Sequence, residues 1–154
     1  MLAAVKLFPA NDDFRDECRH EADIYRHLAE ADVQRRFLHI IEDGADAAIP
    51  YLVLPWAGLS LSSYFKQQRK AGVTAKLDPA RLASAVVTQT AGALRFLHEK
   101  SVVHTDIKPS NLMIQFETMQ VVIIDFNAAE RIDVQGWQPR HSLYSTFPYR
   151  APEL

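Results

Sequence analysis

Cysteine is nearly missing from this chain: among 154 residues only Cys18 carries a thiol. One thiol cannot close an internal disulfide, which excludes a secreted, cross-linked framework and predicts a reducing compartment, the cytosol or the nucleus. Long apolar runs are missing too. No stretch approaches the roughly 18 apolar residues of a membrane-spanning helix, and the opening MLAAVKLFPA breaks its short apolar run with a lysine, so neither a signal-peptide core nor a membrane partner is expected. Neither sign of charge dominates. The 17 basic and 19 acidic residues leave a net charge of -2 and form no basic face, which argues against a nucleic-acid partner. Internal repeats, low-complexity tracts and glycine/serine linkers are also lacking, so nothing marks a second domain. What is present is a hydrophobic content of 48%, enough to bury a sizeable core.

The periodicities predict a mixed α+β chain. Leu2 to Phe8 reads as a strand, and Asn11, Asp12 and Asp13 offer N-caps for a helix from about Phe14 to Ala31. Strands are expected near Phe37 to Glu42 and Tyr51 to Leu54, then a helix over Leu61 to Lys70. Asp78 followed by Pro79 is a helix start, and Leu82, Val86, Ala93 and Leu97 give that helix one apolar stripe, ending near Lys100. Leu112 to Phe116 and Val121 to Ile124, joined by ETMQ, predict a β-hairpin. Asn127 to Leu154 reads as irregular.

The stretch VVHTDIKPSNLMI, residues 102 to 114, sets polar groups densely between two apolar runs. Burying such groups without partners costs about 1 to 3 kcal/mol each, so packing is a poor reason for them. The hairpin would bring Asn111, just before its first strand, and Asp125, just after its second, to one end. An amide carbonyl and a carboxylate suit Mg²⁺, which keeps waters and takes further oxygens from substrate phosphates. Either residue alone reads more readily as a turn cap, for Asn111, or a strand terminator, for Asp125. Asp106, in the same loop, is placed to accept a proton from a hydroxyl, and Lys108 to neutralise charge on a transferred group. Positioning and electrostatics of this kind are most of what phosphoryl transfer needs.

His104-Thr105-Asp106-Ile107-Lys108-Pro109-Ser110-Asn111 resembles the catalytic loop of eukaryotic protein kinases, H-R-D-L-K-x-x-N. Asp125-Phe126-Asn127 stands where that family has Asp-Phe-Gly, and Ala151-Pro152-Glu153 matches its Ala-Pro-Glu, in the same order and spacing. The resemblance implies ATP and Mg²⁺ as cofactors, a protein substrate with a Ser or Thr acceptor, and a partial two-lobe α+β fold. Residues 1–55 would be the remainder of the small lobe, 56–60 the hinge, and 61–154 the start of the large lobe through the activation segment.

Ala4-Val5-Lys6 resembles the family's V-A-I-K strand. In a strand Ala4, Lys6 and Phe8 share a face, a small residue for an adenine ring beside a cation for its phosphates. Phe14, Cys18, Glu21, Tyr25 and Leu28 recur at spacings of four and three, which turns Glu21 inward, where a carboxylate needs a cation. The resemblance implies the Lys6–Glu21 ion pair, and a stack of Tyr25, Phe126 and His104 like the regulatory spine. By the same match YLVLPWAGLSL is the fifth strand and hinge, with Leu54 as gatekeeper, the Pro55 carbonyl and Ala57 N–H on the adenine edge, and Met113 as the floor under the base.

Thr105 stands where most of the family has an arginine that binds a phosphorylated residue, so phosphorylation is not expected to act through this contact. The H-T-D-I-K-P sequence also resembles that of SR-protein and LAMMER kinases. Asn127 replaces a glycine where a left-handed backbone is expected, which asparagine tolerates. Lys108 with Thr146 matches the pair of Ser/Thr kinases, in which the threonine bridges the loop lysine and aspartate. Ser142, Tyr144 and Ser145 are candidate modification sites. The glycine-rich loop and the helices after Ala-Pro-Glu have no counterpart here, so the expectation is a kinase fragment with exposed apolar surface, low stability and weak or no activity by itself. Two other readings are a non-catalytic, pseudokinase-like scaffold and a small-molecule phosphotransferase of related fold.

Overall fold

The computed structural model describes residues 2–32, 36–71, 78–132 and 146–149. Ser142, Tyr144, Ser145 and the Ala151-Pro152-Glu153 motif lie outside the described residues.

Strand β1 (Ala3–Leu7) leads into helix α1 (Asp12–Ala29). Asn11 starts the helix: its side-chain oxygen accepts the Phe14 amide at 3.0 Å. Asp12 and Asp13 in the first turn and Arg26 and His27 in the last complement the helix dipole. Strand β2 is only Glu42–Asp43 and β3 is Tyr51–Pro55, and the small sheet runs β1-β3-β2, antiparallel throughout. The strand expected over Phe37 to Glu42 is therefore mostly absent. Phe37 instead makes an isolated parallel bridge to Ile123, and its ring packs against Phe96 and Phe126. Burial of that ring draws the chain away from β3 until Ile41, whose amide bonds the Val53 carbonyl at 2.8 Å.

After β3 the chain turns at Trp56 to Gly58 and forms β4 (Leu59–Ser60), helix α2 (Leu61–Ala71), helix α3 (Pro79–Glu99) and β5 (Val102–Val103). Asp78 caps α3 by accepting the Ala80 amide at 3.0 Å, with Pro79 in the first turn. The expected hairpin is β6 (Leu112–Gln115) with β7 (Gln120–Ile123). Gln89 of α3 pins its turn: Nε2 donates to the Met119 carbonyl at 2.7 Å and Oε1 accepts the Val121 amide at 2.9 Å. The segment expected to be irregular contains β8 (Glu130–Arg131), paired with β5, and a 3-10 turn over Phe147–Tyr149. Two-residue strands are too short for alternation to register.

Two cores result. Phe8, Cys18, Ala22 and Leu52 form the smaller, under the first sheet, and α3, the hairpin and the inner end of α1 form the larger, with Leu28, Leu97, Val102 and Ile114 fully buried. Each such side chain contributes about 1.5 to 3 kcal/mol. This is a two-lobe α+β arrangement in part. Leu2, Val5, Leu7 and Val87 remain exposed.

Gly58 packs the turn closely against β6. Its φ is +91°, and a Cβ there would lie 2.2 Å from the Ile114 carbonyl oxygen. Gly58→Ala is expected to lower the unfolding free energy by about 1 to 3 kcal/mol. Urea denaturation checks it; an unchanged midpoint would mean that the turn tolerates a side chain.

Candidate active site

Strand β1 presents Lys6 to α1, and the ammonium reaches Glu21 Oε2 at 2.6 Å and Asp125 Oδ1 at 2.5 Å. Cys18, Glu21, Tyr25 and Leu28 are buried on one stripe of α1, as their spacing requires. Glu21 also accepts the Phe126 amide at 3.1 Å through its second oxygen. Burial pushes the Glu21 carboxyl up against the pull of Lys6. Burial would lower Lys6, but the two carboxylates overcome it and raise the ammonium above its ordinary value.

His104 is fully buried and neutral, its pKa lowered by burial. Its partners settle the tautomer: Nδ1 must accept, at 3.3 Å, from the Asp106 amide, so Nε2 carries the proton and donates to the Ile124 carbonyl at 3.0 Å. The imidazole therefore shapes the loop rather than exchanging protons. Phe126 is wholly buried, with ring centres 4.9 Å from both Tyr25 and His104. The expected stack is there. Phe37, 5.7 Å away, extends it; the sequence marked Phe37 only as a strand start.

Asp106 is held from three sides. Lys108 Nζ donates to Oδ2 at 2.5 Å, and Thr146 donates to Oδ1 from its hydroxyl at 2.7 Å and its amide at 3.0 Å. Lys108 also donates to the Thr146 hydroxyl at 2.7 Å, so the threonine bridges lysine and aspartate. Asn111 Nδ2 donates to the Asp106 carbonyl at 3.0 Å and, more distantly, to Oδ2 at 3.3 Å. Burial would raise the Asp106 carboxyl, but the hydrogen bonds from Lys108 and Thr146 prevail and hold it below the usual carboxylate range.

A cleft of about 380 Å³ lies between the lobes. Lys6, Glu21, Asn111 and Asp125 line its polar end, and Ala4, Pro55, Ala57 and Met113 its apolar end. Val5, Leu38, Trp56 and Ile124 also line it and were not singled out in the sequence. A second, smaller cavity, of 220 Å³, shares Leu38, Pro55 and Ala57 with the first and reaches Phe37, His39 and Gln115 instead.

The family model for the protein kinase domain matches residues 1–154. The chain belongs to the protein kinase family. It is 27% identical over 147 residues to a probable serine/threonine-protein kinase of Clostridium acetobutylicum, covering 95% of this chain and 20% of that protein. It is 31% identical over 106 residues to the serine/threonine-protein kinase ULK3 of Rattus norvegicus, 68% of this chain and 21% of the relative. The proto-oncogene serine/threonine-protein kinase mos of Sus scrofa is 43% identical over 61 residues, 40% of this chain and 17% of that protein. The matches thus span about a fifth of these relatives. Membership implies protein phosphotransfer, and ATP with Mg²⁺, in general terms.

The site residues fit that pair of ligands. Asn111 commits its NH₂ to Asp106, which orients Oδ1 the other way, where among the described residues it accepts the long 3.4 Å bond of Ser110 Oγ. With the Asp125 carboxylate it makes a set of hard oxygens too sparse to hold a cation unaided, as a site completed by waters and phosphates should be. In the Asp125-Phe126-Asn127 triplet of this kinase domain the left-handed residue is not Asn127, as expected, but Asp125 itself, with φ 71°. The Glu21 bond to the Phe126 amide and the buried Phe126 ring hold the chain there, and Asn127 needs no special backbone.

A carboxyl depressed in the folded state stabilises the fold above its unfolded-state value, and that stabilisation is lost as pH falls through the folded one. Asp106→Asn should therefore flatten the decline of stability below about pH 4. Thermal unfolding along a pH series checks it, and a slope equal to the wild type's would remove Asp106 from the acid-sensitive groups.

Proposed function

We propose that this chain forms the nucleotide-binding and transfer centre of an ATP-dependent serine/threonine protein kinase. The observation that carries the reading is the Thr146 hydroxyl bridging Lys108 and Asp106. That arrangement orients a carboxylate, ionised at neutral pH, beside a cation.

Asp106 has four lone-pair directions. Thr146 occupies two on Oδ1, and Lys108 one on Oδ2; the fourth has only the 3.3 Å contact of Asn111, which an incoming hydroxyl can displace. As the substrate oxygen bonds the γ-phosphorus and the bond to the leaving ADP oxygen breaks, the hydroxyl proton passes to Asp106. Lys108 balances charge on the transferred group. Lys6, fixed by Glu21 and Asp125, offers its ammonium to the nucleotide phosphates. Asn111 and Asp125 would hold Mg²⁺, which when bound would supply charge neutralisation at those phosphates. Pro55, Ala57, Ala4 and Met113 take the adenine.

The names of the relatives, each a serine/threonine-protein kinase, support a protein hydroxyl as acceptor over a small molecule. The full set of charged groups tells against a non-catalytic scaffold. The unpaired Cys18 supports a reducing compartment, cytosol or nucleus.

Calorimetry of Mg²⁺-ATP binding tests the first half of the reading. The wild type is expected to bind, and Asp125→Asn to lose Mg²⁺-dependent affinity by about tenfold or more. Asp106→Asn should keep binding but lose transfer to a Ser/Thr peptide by about a hundredfold or more. Equal turnover by Asp106→Asn and wild type would reject the assignment of the base.

A further inference from the structure

Thr105 is a β-branched residue in the left-handed region, at φ 64°. Its branched Cβ crowds the backbone there, so the conformation persists only where neighbours hold it. The holding contact is its own hydroxyl, which donates to the Ala128 carbonyl at 2.7 Å. Both ends of that bond sit beside the chemistry, Thr105 next to Asp106 and Ala128 three residues past Asp125.

The same segment is held from its other side by α1. His20 Nε2, facing a carbonyl that can only accept, donates to Ala129 at 2.7 Å, and Glu21 takes the Phe126 amide. Residues 126–129 are thus clamped by their backbone between α1 and the loop that carries Asp106. The clamp contains no arginine that needs a phosphate for a partner.

We propose that Thr105 is a positioning residue of this centre: its hydroxyl locks the Asp106 loop to the Asp125 segment, so that the two carboxylates keep their register without a phosphorylated residue. The proposal rests on the kinase reading. Valine at 105 has the same shape and no donor, serine keeps the donor without the branch, and glycine accepts φ 64° without strain but lacks the hydroxyl.

The experiment takes the full chain, treated with phosphatase, and follows transfer from Mg²⁺-ATP to a Ser/Thr peptide. Thr105→Val is expected to lower kcat about tenfold while the ATP dissociation constant stays within about twofold, and Thr105→Ser to recover to within about threefold of wild type. Thr105→Gly, which relieves strain and so folds if the valine variant does not, should be as slow as valine. Wild-type turnover in Thr105→Gly or Thr105→Val, or a serine variant as slow as valine, would overturn the proposal. Amide exchange at Phe126 and Ala129 is read in parallel, and should quicken about tenfold with valine or glycine but not with serine. Exchange that is the same in all four proteins overturns the lock by itself. A wild type that binds Mg²⁺-ATP but transfers nothing overturns the positioning role, one that does not bind it overturns the reading of this chain as a nucleotide-binding centre, and exchange that separates serine from valine still upholds the lock.

Discussion

One ammonium group joins the parts of the cleft. Lys6 comes from the first strand, Glu21 from the first helix and Asp125 from the end of the hairpin, far apart in sequence, and they meet within 2.6 Å of a single nitrogen. A carboxylate as buried as Glu21 would cost several kcal/mol without that cation. Lys6 also has a second carboxylate to serve, and the balance of charge among the three is -1. The opposite causes acting on the two partners follow from this: burial dominates at Glu21, attraction by two acids prevails at Lys6. A site with one negative charge in excess, lined by hard oxygens, is matched to a divalent cation that brings its own polyanion.

The segment from Ile124 to Ala129 depends on that junction. Its backbone finds few strand partners. The Ile124 amide bonds the Asn111 carbonyl and the Ile124 carbonyl bonds His104; the Phe126 amide bonds Glu21; the carbonyls of Ala128 and Ala129 take Thr105 and His20. Side chains from the catalytic loop and from α1 do the work that a neighbouring strand does elsewhere, satisfying groups that cannot be buried unpaired. The backbone is free to bend, and it turns left-handed at Asp125 because the anchors on either side leave it no other path.

This explains what could be read in advance and what could not. The helices were legible because stripes at 3.6-residue spacing and the Asn11 and Asp78 caps are local signals. The hairpin was legible from two apolar runs and a polar turn. The polar cluster at 104–111 pointed to chemistry because no packing role accounts for a carboxylate, an ammonium and an amide so close together. Phe37 escaped because its environment is tertiary, a ring captured by Phe96 and Phe126. The pairing of Val102–Val103 with Glu130–Arg131 escaped because each strand has only two residues. The left-handed residue was misplaced at Asn127 because composition says which residue tolerates that backbone, whereas the surrounding hydrogen bonds decide which one adopts it.

The density of polar groups after Val103 then divides into two kinds. His104 uses both ring nitrogens inside the protein, and Thr105 spends its hydroxyl on Ala128; these are satisfied and shape the loop. Lys108 and Thr146 are satisfied as well, but on Asp106, where they orient a carboxylate and hold it below its usual range. Two acceptors near this loop have only long contacts among the described residues: the amide oxygen of Asn111, reached by Ser110 at 3.4 Å, and one direction of the Asp106 carboxylate, reached by Asn111 at 3.3 Å. Both belong to residues joined by a hydrogen bond to each other, and Asn111 opens on the cleft that holds Lys6 and Asp125. Asn111 turns its amide oxygen toward that cleft because its NH₂ is committed to Asp106. An oxygen acceptor held in that direction suits the hard cation and the hydroxyl proton that the proposed phosphoryl transfer would bring.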